Sequence, residues 1–228
     1  MPAQESVPVY LVIPAGGRGL RMGGGVPKQF RPWRGRPLLQ ATVDAFFSAG
    51  MPALAGIALA VPEEFLDHVR GWNFPARAWV VPGGETRQDS VAAALAVLPA
   101  DARAAVLIHD AVRPFPPAAP ILEALDALAE WDGAVLGEAS TDTLKRVDPL
   151  GRILETVARE TIFRAQTPQA ATLGTWRRAF SAAAGEAFQG TDDVALLERL
   201  GLKVKLIPSP SSNLKVTTPE DWERLAPS

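Results

Sequence analysis

Val9-Tyr-Leu-Val-Ile-Pro-Ala-Gly-Gly-Arg-Gly-Leu-Arg-Met22 passes from five strand-forming residues directly into a proline and a cluster of glycines. A continuous apolar run of that length, without polar alternation, predicts a short strand buried on both faces, as in parallel sheets. The glycines and arginines behind it then form a flexible, cationic loop at the strand's carboxyl end. This loop continues through Gly23-Gly-Gly-Val-Pro-Lys28. After Pro37, the apolar residues Leu38, Leu39, Val43, Phe46 and Phe47 recur at helical spacing until Gly50 ends the run. The unit is strand, long loop, helix.

The alternation repeats outward from there. Residues 57–61 read as strand, 63–70 as helix and 78–81 as strand, followed by a helix that Asp89 or Ser90 caps and that runs to Leu98. Residues 104–108 and 134–136 read as further strands, with a helix over 118–130 between them. The first 137 residues are thus βα units throughout, which predicts an α/β fold with a doubly wound, mostly parallel sheet and helices on both faces. Two β-prone stretches, 142–147 and 153–157, then flank the turn Asp148-Pro-Leu-Gly151. They predict a projecting β-hairpin arm at about 138–160. Helices over 173–184 and 192–200, strands over 204–207 and 213–217, and a last helix opened by Pro219 complete the reading. No linker or repeat interrupts it, so residues 1–228 are read as a single domain.

Composition narrows the functions such a fold could serve. The formal net charge is -2, from 23 Lys+Arg against 25 Asp+Glu, so no global basic field exists to hold nucleic acid nonspecifically. Anionic ligands must meet a local cluster instead. With no cysteine and only His68 and His109, thiolate metal sites are excluded and a structural zinc site is disfavoured. The first apolar run is too short for a signal sequence or a membrane span, so the sequence reads as soluble and cytoplasmic.

Ligands of parallel α/β sheets sit beyond the carboxyl ends of the strands, so the loops there are the candidate functional segments. In the first loop, Ala15, Gly16, Gly17 and Gly19 let backbone N–H groups approach phosphate oxygens, while Arg18, Arg21 and Lys28 supply positive charge. A triphosphate fits that chemistry. The loop is neither a dinucleotide fingerprint, because Met22 occupies the last glycine position of G-x-G-x-x-G, nor a Walker loop. Gly83-Gly-Glu-Thr-Arg-Gln-Asp-Ser90 offers amides and the Ser90 hydroxyl to a base or ribose edge. In His109-Asp110-Ala-Val-Arg113-Pro114, Asp110 ends a buried strand and is placed as a direct or water-mediated ligand for Mg²⁺. Arg113 is placed for a second anion, whereas His109 reads as a packed, hydrogen-bonded residue. Taken singly, the charged arm residues read as a solvated ribbon and Thr191 as a helix N-cap.

Together these stretches resemble a known family. Ala15-Gly-Gly-Arg-Gly-Leu-Arg-Met22, Pro27-Lys-Gln-Phe30, Gly83-Gly, Arg87 and Ser90, His109-Asp-Ala-Val-Arg-Pro114, Asp142-Thr-Leu-Lys145, Thr167-Pro-Gln169, Thr191-Asp and Asn213-Leu-Lys-Val-Thr217 follow the ordered pattern of the 2-C-methyl-D-erythritol 4-phosphate cytidylyltransferases over essentially the whole chain. The resemblance implies a Rossmann-like nucleotidyltransferase fold. It implies transfer of CMP from CTP to methylerythritol phosphate in the non-mevalonate isoprenoid route, and a homodimer whose arms reach into the partner's site.

By position, Arg21 and Lys28 match the pair that stabilises the transition state, and Asp110 matches the Mg²⁺-associated aspartate. Gly83, Ser90 and Ala111 match the cytidine site. Arg113, Thr143, Arg159, Thr167, Thr191 and Lys215 match positions that hold the polyol phosphate or the reacting phosphates, Lys215 being counted with the catalytic pair. Glu85 departs from an aspartate found there in the family. A phosphate monoester is already mostly a dianion at neutral pH, so this chemistry needs no general base. Two alternatives stay open at this point: a ribitol-5-phosphate cytidylyltransferase, against which Lys145 speaks, and a catalytically silent nucleotide-binding module on the same fold.

Overall fold

The computed structural model describes residues 7–17 and 25–225. Strand β1 (Val9–Pro14) is buried from Tyr10 to Ile13, as its unbroken apolar run requires. A two-stranded ribbon, β2 (Pro32–Trp33) with β3 (Arg36–Pro37), precedes helix α1 (Leu38–Ala45). Then follow β4 (Leu54–Val61), α2 (Leu66–Arg70), β5 (Ala78–Pro82), α3 (Arg87–Ala96), β6 (Ala105–Ile108), α4 (Ala118–Ala127) and β7 (Gly133–Ala139). The arm is β8 (Leu144–Val147) paired antiparallel with β9 (Ile153–Val157). Beyond it lie β10 (Phe163–Thr172), α5 (Leu173–Gly185), α6 (Val194–Arg199), β11 (Val204–Pro208) and α7 (Pro219–Arg224).

Seven strands form the main sheet in the order β11-β7-β10-β6-β1-β4-β5. All neighbours are parallel except β10, which runs antiparallel to both β6 and β7. The doubly wound, mostly parallel sheet is therefore as expected, with one reversed strand near its middle. Alternation along β1 sends Leu11 and Ile13 to one face, where α1, α2, α4 and α7 pack, and Tyr10 and Val12 to the other, where α3, α5 and α6 pack. Each fully buried Leu or Ile on these faces contributes about 1.5–3 kcal/mol.

Four sequence expectations need correction. Helix α3 is capped by Thr86 rather than by Asp89 or Ser90: the Thr86 side chain accepts from the Asp89 N–H while Asp89 accepts from the Thr86 N–H. Asp193, rather than Thr191, stands at the N-cap of α6, and Thr191 is exposed. Residues 213–217 form no strand; the segment is tied instead by single bonds, among them Val216 N–H to the Val112 carbonyl at 3.0 Å. The βα succession of the first 137 residues is interrupted by the β2–β3 ribbon.

Candidate active site

Strands β6, β1, β4 and β5 are consecutive neighbours, so the loops leaving their carboxyl ends meet along one edge of the sheet. Between them opens a cavity of ≈ 1010 Å³. Ala15, Gly16 and Gly17 come from the loop after β1, Glu63 and Glu64 from after β4, Gly83 to Arg87 from after β5, and Asp110 to Val112 from after β6. Lys28, Lys215 and Thr217 close the rim.

The glycines of the first loop meet two different demands. A Cβ on Gly16 would lie 2.9 Å from Ser90 Oγ and 3.3 Å from Gly83 Cα, so the two loops can touch only because Gly16 has no side chain. At Gly17 nothing among the described residues lies within 4 Å of that position, and the bare backbone borders the cavity. Ser90 is buried at the seam, accepting from the Gly84 N–H at 3.1 Å and donating to the Thr86 carbonyl at 3.0 Å. Ala111 lies on the opposite wall, its carbonyl accepting from the Thr42 hydroxyl at 3.1 Å.

Charge is organised around Asp110. Its Oδ2 lies 3.0 Å from Lys215 Nζ and 3.2 Å from Arg113 Nε, and its Oδ1 lies 3.4 Å from Arg87 Nε. Burial pushes the carboxyl toward the neutral form, but the Arg87, Lys215 and Arg113 cations together hold it well below the usual carboxylate range. Asp110 is therefore ionised at any physiological pH. Arg87 reaches on to Asp193 through two bonds of 2.8 Å. Lys28 donates to the Val216 carbonyl at 2.8 Å.

Below the floor, His109 is fully buried and burial pushes its imidazole down to about 4. Its Nε2 faces the Arg113 carbonyl at 3.0 Å, and since a carbonyl only accepts, Nε2 carries the proton. Nδ1 then accepts from the Thr167 hydroxyl at 3.2 Å, and the same hydroxyl accepts from the Asp110 N–H at 3.0 Å. His109 is thus a packed, neutral residue that orients the Asp110 backbone through Thr167.

Of the residues singled out in the sequence, Ala15, Gly16, Gly17, Lys28, Gly83, Ser90, Asp110, Ala111 and Lys215 border one cavity. Arg113 and Thr167 lie beneath its floor, buried, with Arg113 Nη1 donating to the Asn213 carbonyl at 2.6 Å. Thr143 and Arg159 stand apart, around a second hollow of ≈ 290 Å³ on the arm. Arg18, Gly19 and Arg21 lie outside the described residues. Three contributors had no assigned role in the sequence: Gln29, buried under the glycine loop; Arg87, which joins Asp110 to Asp193; and Asp193 itself. For Gln29 and Arg87 the only signal was their place inside the matched motifs, and Asp193 directly follows the matched Thr191-Asp pair.

Among the described residues no group of three or more His, Cys, Asp or Glu side chains could hold a metal ion unaided. The ionised Asp110, whose oxygens also face Arg87, Arg113 and Lys215, could lend an oxygen to a small divalent cation that completes its shell with water and substrate phosphates. Among the described residues no helix is long and apolar enough to cross a membrane.

A glycine cradle facing a helix start across the carboxyl edge of a doubly wound sheet, with Arg87, Arg113 and Lys215 around one ionised aspartate and Lys28 on the same rim, belongs to the nucleotidyltransferase class. Residues 9–226 match the family model of 2-C-methyl-D-erythritol 4-phosphate cytidylyltransferase. The chain therefore belongs to that family. It is similar to enzymes of that name from Acidobacterium capsulatum, 38% identical over 96% of this chain and 95% of the relative, and from Symbiobacterium thermophilum, 40% identical over 96% and 92%. Among solved structures it is similar to the 4-diphosphocytidyl-2C-methyl-D-erythritol synthase of Anaerococcus prevotii, with a TM-score of 0.81, 27% identity and 96% of each chain covered. The Francisella tularensis 2-C-methyl-D-erythritol 4-phosphate cytidylyltransferase superposes with a TM-score of 0.80 at 29% identity, covering 95% of this chain and 97% of that one.

Proposed function

We propose that this chain transfers the cytidylyl group of CTP to 2-C-methyl-D-erythritol 4-phosphate, giving 4-diphosphocytidyl-2-C-methyl-D-erythritol and pyrophosphate. The observation that carries the reading is the single cavity in which Gly16, Gly17, Ser90, Lys28, Asp110 and Lys215 meet. The base and ribose of CTP lie toward Gly83, Ser90 and Ala111, and the phosphates lie against Gly16, Gly17 and Lys28. Arg18, Gly19 and Arg21 belong to the same nucleotide loop.

An oxygen of the methylerythritol phosphate attacks the α-phosphorus of CTP. A new P–O bond forms, the bond from the α-phosphorus to the bridging oxygen breaks, and pyrophosphate departs with that electron pair. The nucleophile is mostly dianionic at neutral pH, so no proton has to be removed. His109, buried and neutral with both ring nitrogens bonded, fits a mechanism without a general base. The work left to the protein is to bring anions together in line and to neutralise the charge that shifts to the leaving group, through Lys28, Arg21 and loop amides. Lys215 directs the attacking phosphate. Mg²⁺ is the cation that Asp110 would help to hold, and it would supply further charge neutralisation on the phosphates.

The arm supports a homodimer. Val147, Leu150, Ile153 and Leu154 are 51%, 94%, 60% and 53% exposed, an apolar ribbon that a second copy would cover. Thr143 and Arg159 lie away from the cavity of their own chain, as residues that serve a partner's site would. On this reading the working unit is one nucleotidyltransferase domain, 1–228, with an exchanged arm at about 138–160, acting in the cytoplasm without nucleic-acid or membrane partners.

The test is turnover of CTP with Mg²⁺ and either methylerythritol phosphate or ribitol 5-phosphate, followed as pyrophosphate release. Turnover with methylerythritol phosphate is expected, as family membership favours. Turnover with ribitol 5-phosphate alone would replace the acceptor, and none with either would make the chain a silent nucleotide-binding module.

A further inference from the structure

Gln29 is 3% exposed and sits beneath the glycine loop. Its side-chain nitrogen donates to the Ala15 carbonyl at 2.7 Å and to the Gly17 carbonyl at 2.7 Å. An amide nitrogen has two hydrogens, so this one group is used up on two carbonyls of the same loop. We propose that Gln29 is a positioning residue for the triphosphate: it fixes the direction of the loop's peptide units, and thereby the N–H groups that meet the ligand.

In a trans peptide the C=O and the following N–H point in opposite directions, so a carbonyl of Ala15 turned to Gln29 turns the Gly16 N–H away from it. The Ala15 N–H is itself bound to the Ala60 carbonyl of β4 at 2.7 Å. The first turn of the loop is thereby held from both sides. Glycines resist rotation less than any other residue, so a loop rich in them needs such an external hold to keep its amides in register. Without the Gln29 donor, two carbonyl dipoles would be free to swing their negative ends toward an incoming polyanion.

The placement of Gln29 strengthens the case. It is the middle residue of a 3-10 turn, Lys28–Phe30, whose Phe30 ring stacks on Phe65 with centroids 3.9 Å apart. Lys28, on the cavity rim, and Gln29, under the loop, are therefore presented by one anchored turn. A shift of that turn moves charge and cradle together.

This inference rests on the nucleotide-transfer reading, and the test separates the two. Gln29→Glu keeps the length but cannot donate when ionised, and Gln29→Met keeps the packing without any polar atom. For variants folded by circular dichroism, KM for CTP and Kd for CTP with Mg²⁺ are expected to rise about tenfold or more, while KM for the polyol phosphate stays within about twofold. A melting temperature lowered with CTP affinity unchanged would overturn the proposal, since that is what packing alone produces. If the wild-type protein binds no CTP, the cytidylyl-transfer reading falls, and the same comparison is made with inorganic tripolyphosphate, which tests the cradle without the base. Equal tripolyphosphate affinity in wild type and Gln29→Met would overturn the positioning role.

Discussion

Arg87 grips Asp193 with both terminal nitrogens, each 2.8 Å from one carboxylate oxygen, although 106 residues of chain separate them. Asp193 is 2% exposed, and the third nitrogen of Arg87 leans toward Asp110. The pair thus bolts the start of α6 to the cavity floor. Asp193→Asn leaves the guanidinium half-satisfied beside a buried amide, and a loss of about 2–3 kcal/mol is expected in urea unfolding. Arg87→Lys is not a conservative rescue, because an ammonium cannot make the forked contact.

Lys28→Ala is expected to lower kcat by roughly 10²–10³-fold, as is Arg21→Ala. Both are read by steady-state pyrophosphate release. Unchanged turnover in both variants would remove the assignment of charge stabilisation to these residues.

Gly16→Ala drives a methyl group into Ser90 Oγ and Gly83 Cα. Strain of about 1–3 kcal/mol and weaker CTP binding are expected. Adding Ser90→Ala to Gly16→Ala relieves the nearer contact, so a double-mutant cycle in thermal unfolding should show a coupling of about 0.5 kcal/mol or more. Strict additivity would mean that the two loops do not touch in solution.

Acid should destabilise the protein through His109. Its folded-state value of about 4 lies below the ordinary histidine value, so the unfolded chain binds the proton first as pH falls. Stability is full above the ordinary value near 6.5 and declines toward pH 4, by about 3 kcal/mol in total. Asp110, held below the usual carboxylate range, adds a further loss at still lower pH. Chemical denaturation at pH 7.5 and 4.5 should show a smaller pH difference for His109→Gln than for wild type, and an equal one would refute the link.

Placing charge on the arm tests the proposed dimer. Leu150→Glu with Ile153→Glu should yield monomers in analytical ultracentrifugation and weaken methylerythritol phosphate turnover more than CTP binding. A variant that stays dimeric would put the interface elsewhere.

The sequence was legible where strands are buried on both faces and loops are made of glycine. β1 and β6 are unbroken apolar runs, and each leads to a recognisable cluster. Strand β10 was not legible, because its interior is polar: Gln166, Thr167 and Gln169 are buried and spend their side chains on Asn213, His109 and Asp192. Pro168 falls where the register with β7 shifts, which removes the remaining pattern. Residues 213–217 fail in the opposite sense, since Leu214 and Val216 alternate as in a strand while the Asn213 and Val216 carbonyls are held by the side chains of Arg113 and Lys28. Beyond its place in the matched Pro27-Lys-Gln-Phe30 stretch Gln29 gave no signal, as one glutamine beside a lysine has no period to reveal it.

Lys28 donates its hydrogen bond to the carbonyl of Val216, 188 residues further along the chain, and Lys215 in the same segment neutralises Asp110. This arrangement sets an order in time as well as in space. A nascent chain can pair β1, β4, β5 and β6 early, since these four are neighbours in the sheet, yet its phosphate cradle stays without two of these contacts until translation has passed Val216. Partly made copies would then offer a nucleotide an incomplete pocket, and competence would arrive only near the end of synthesis.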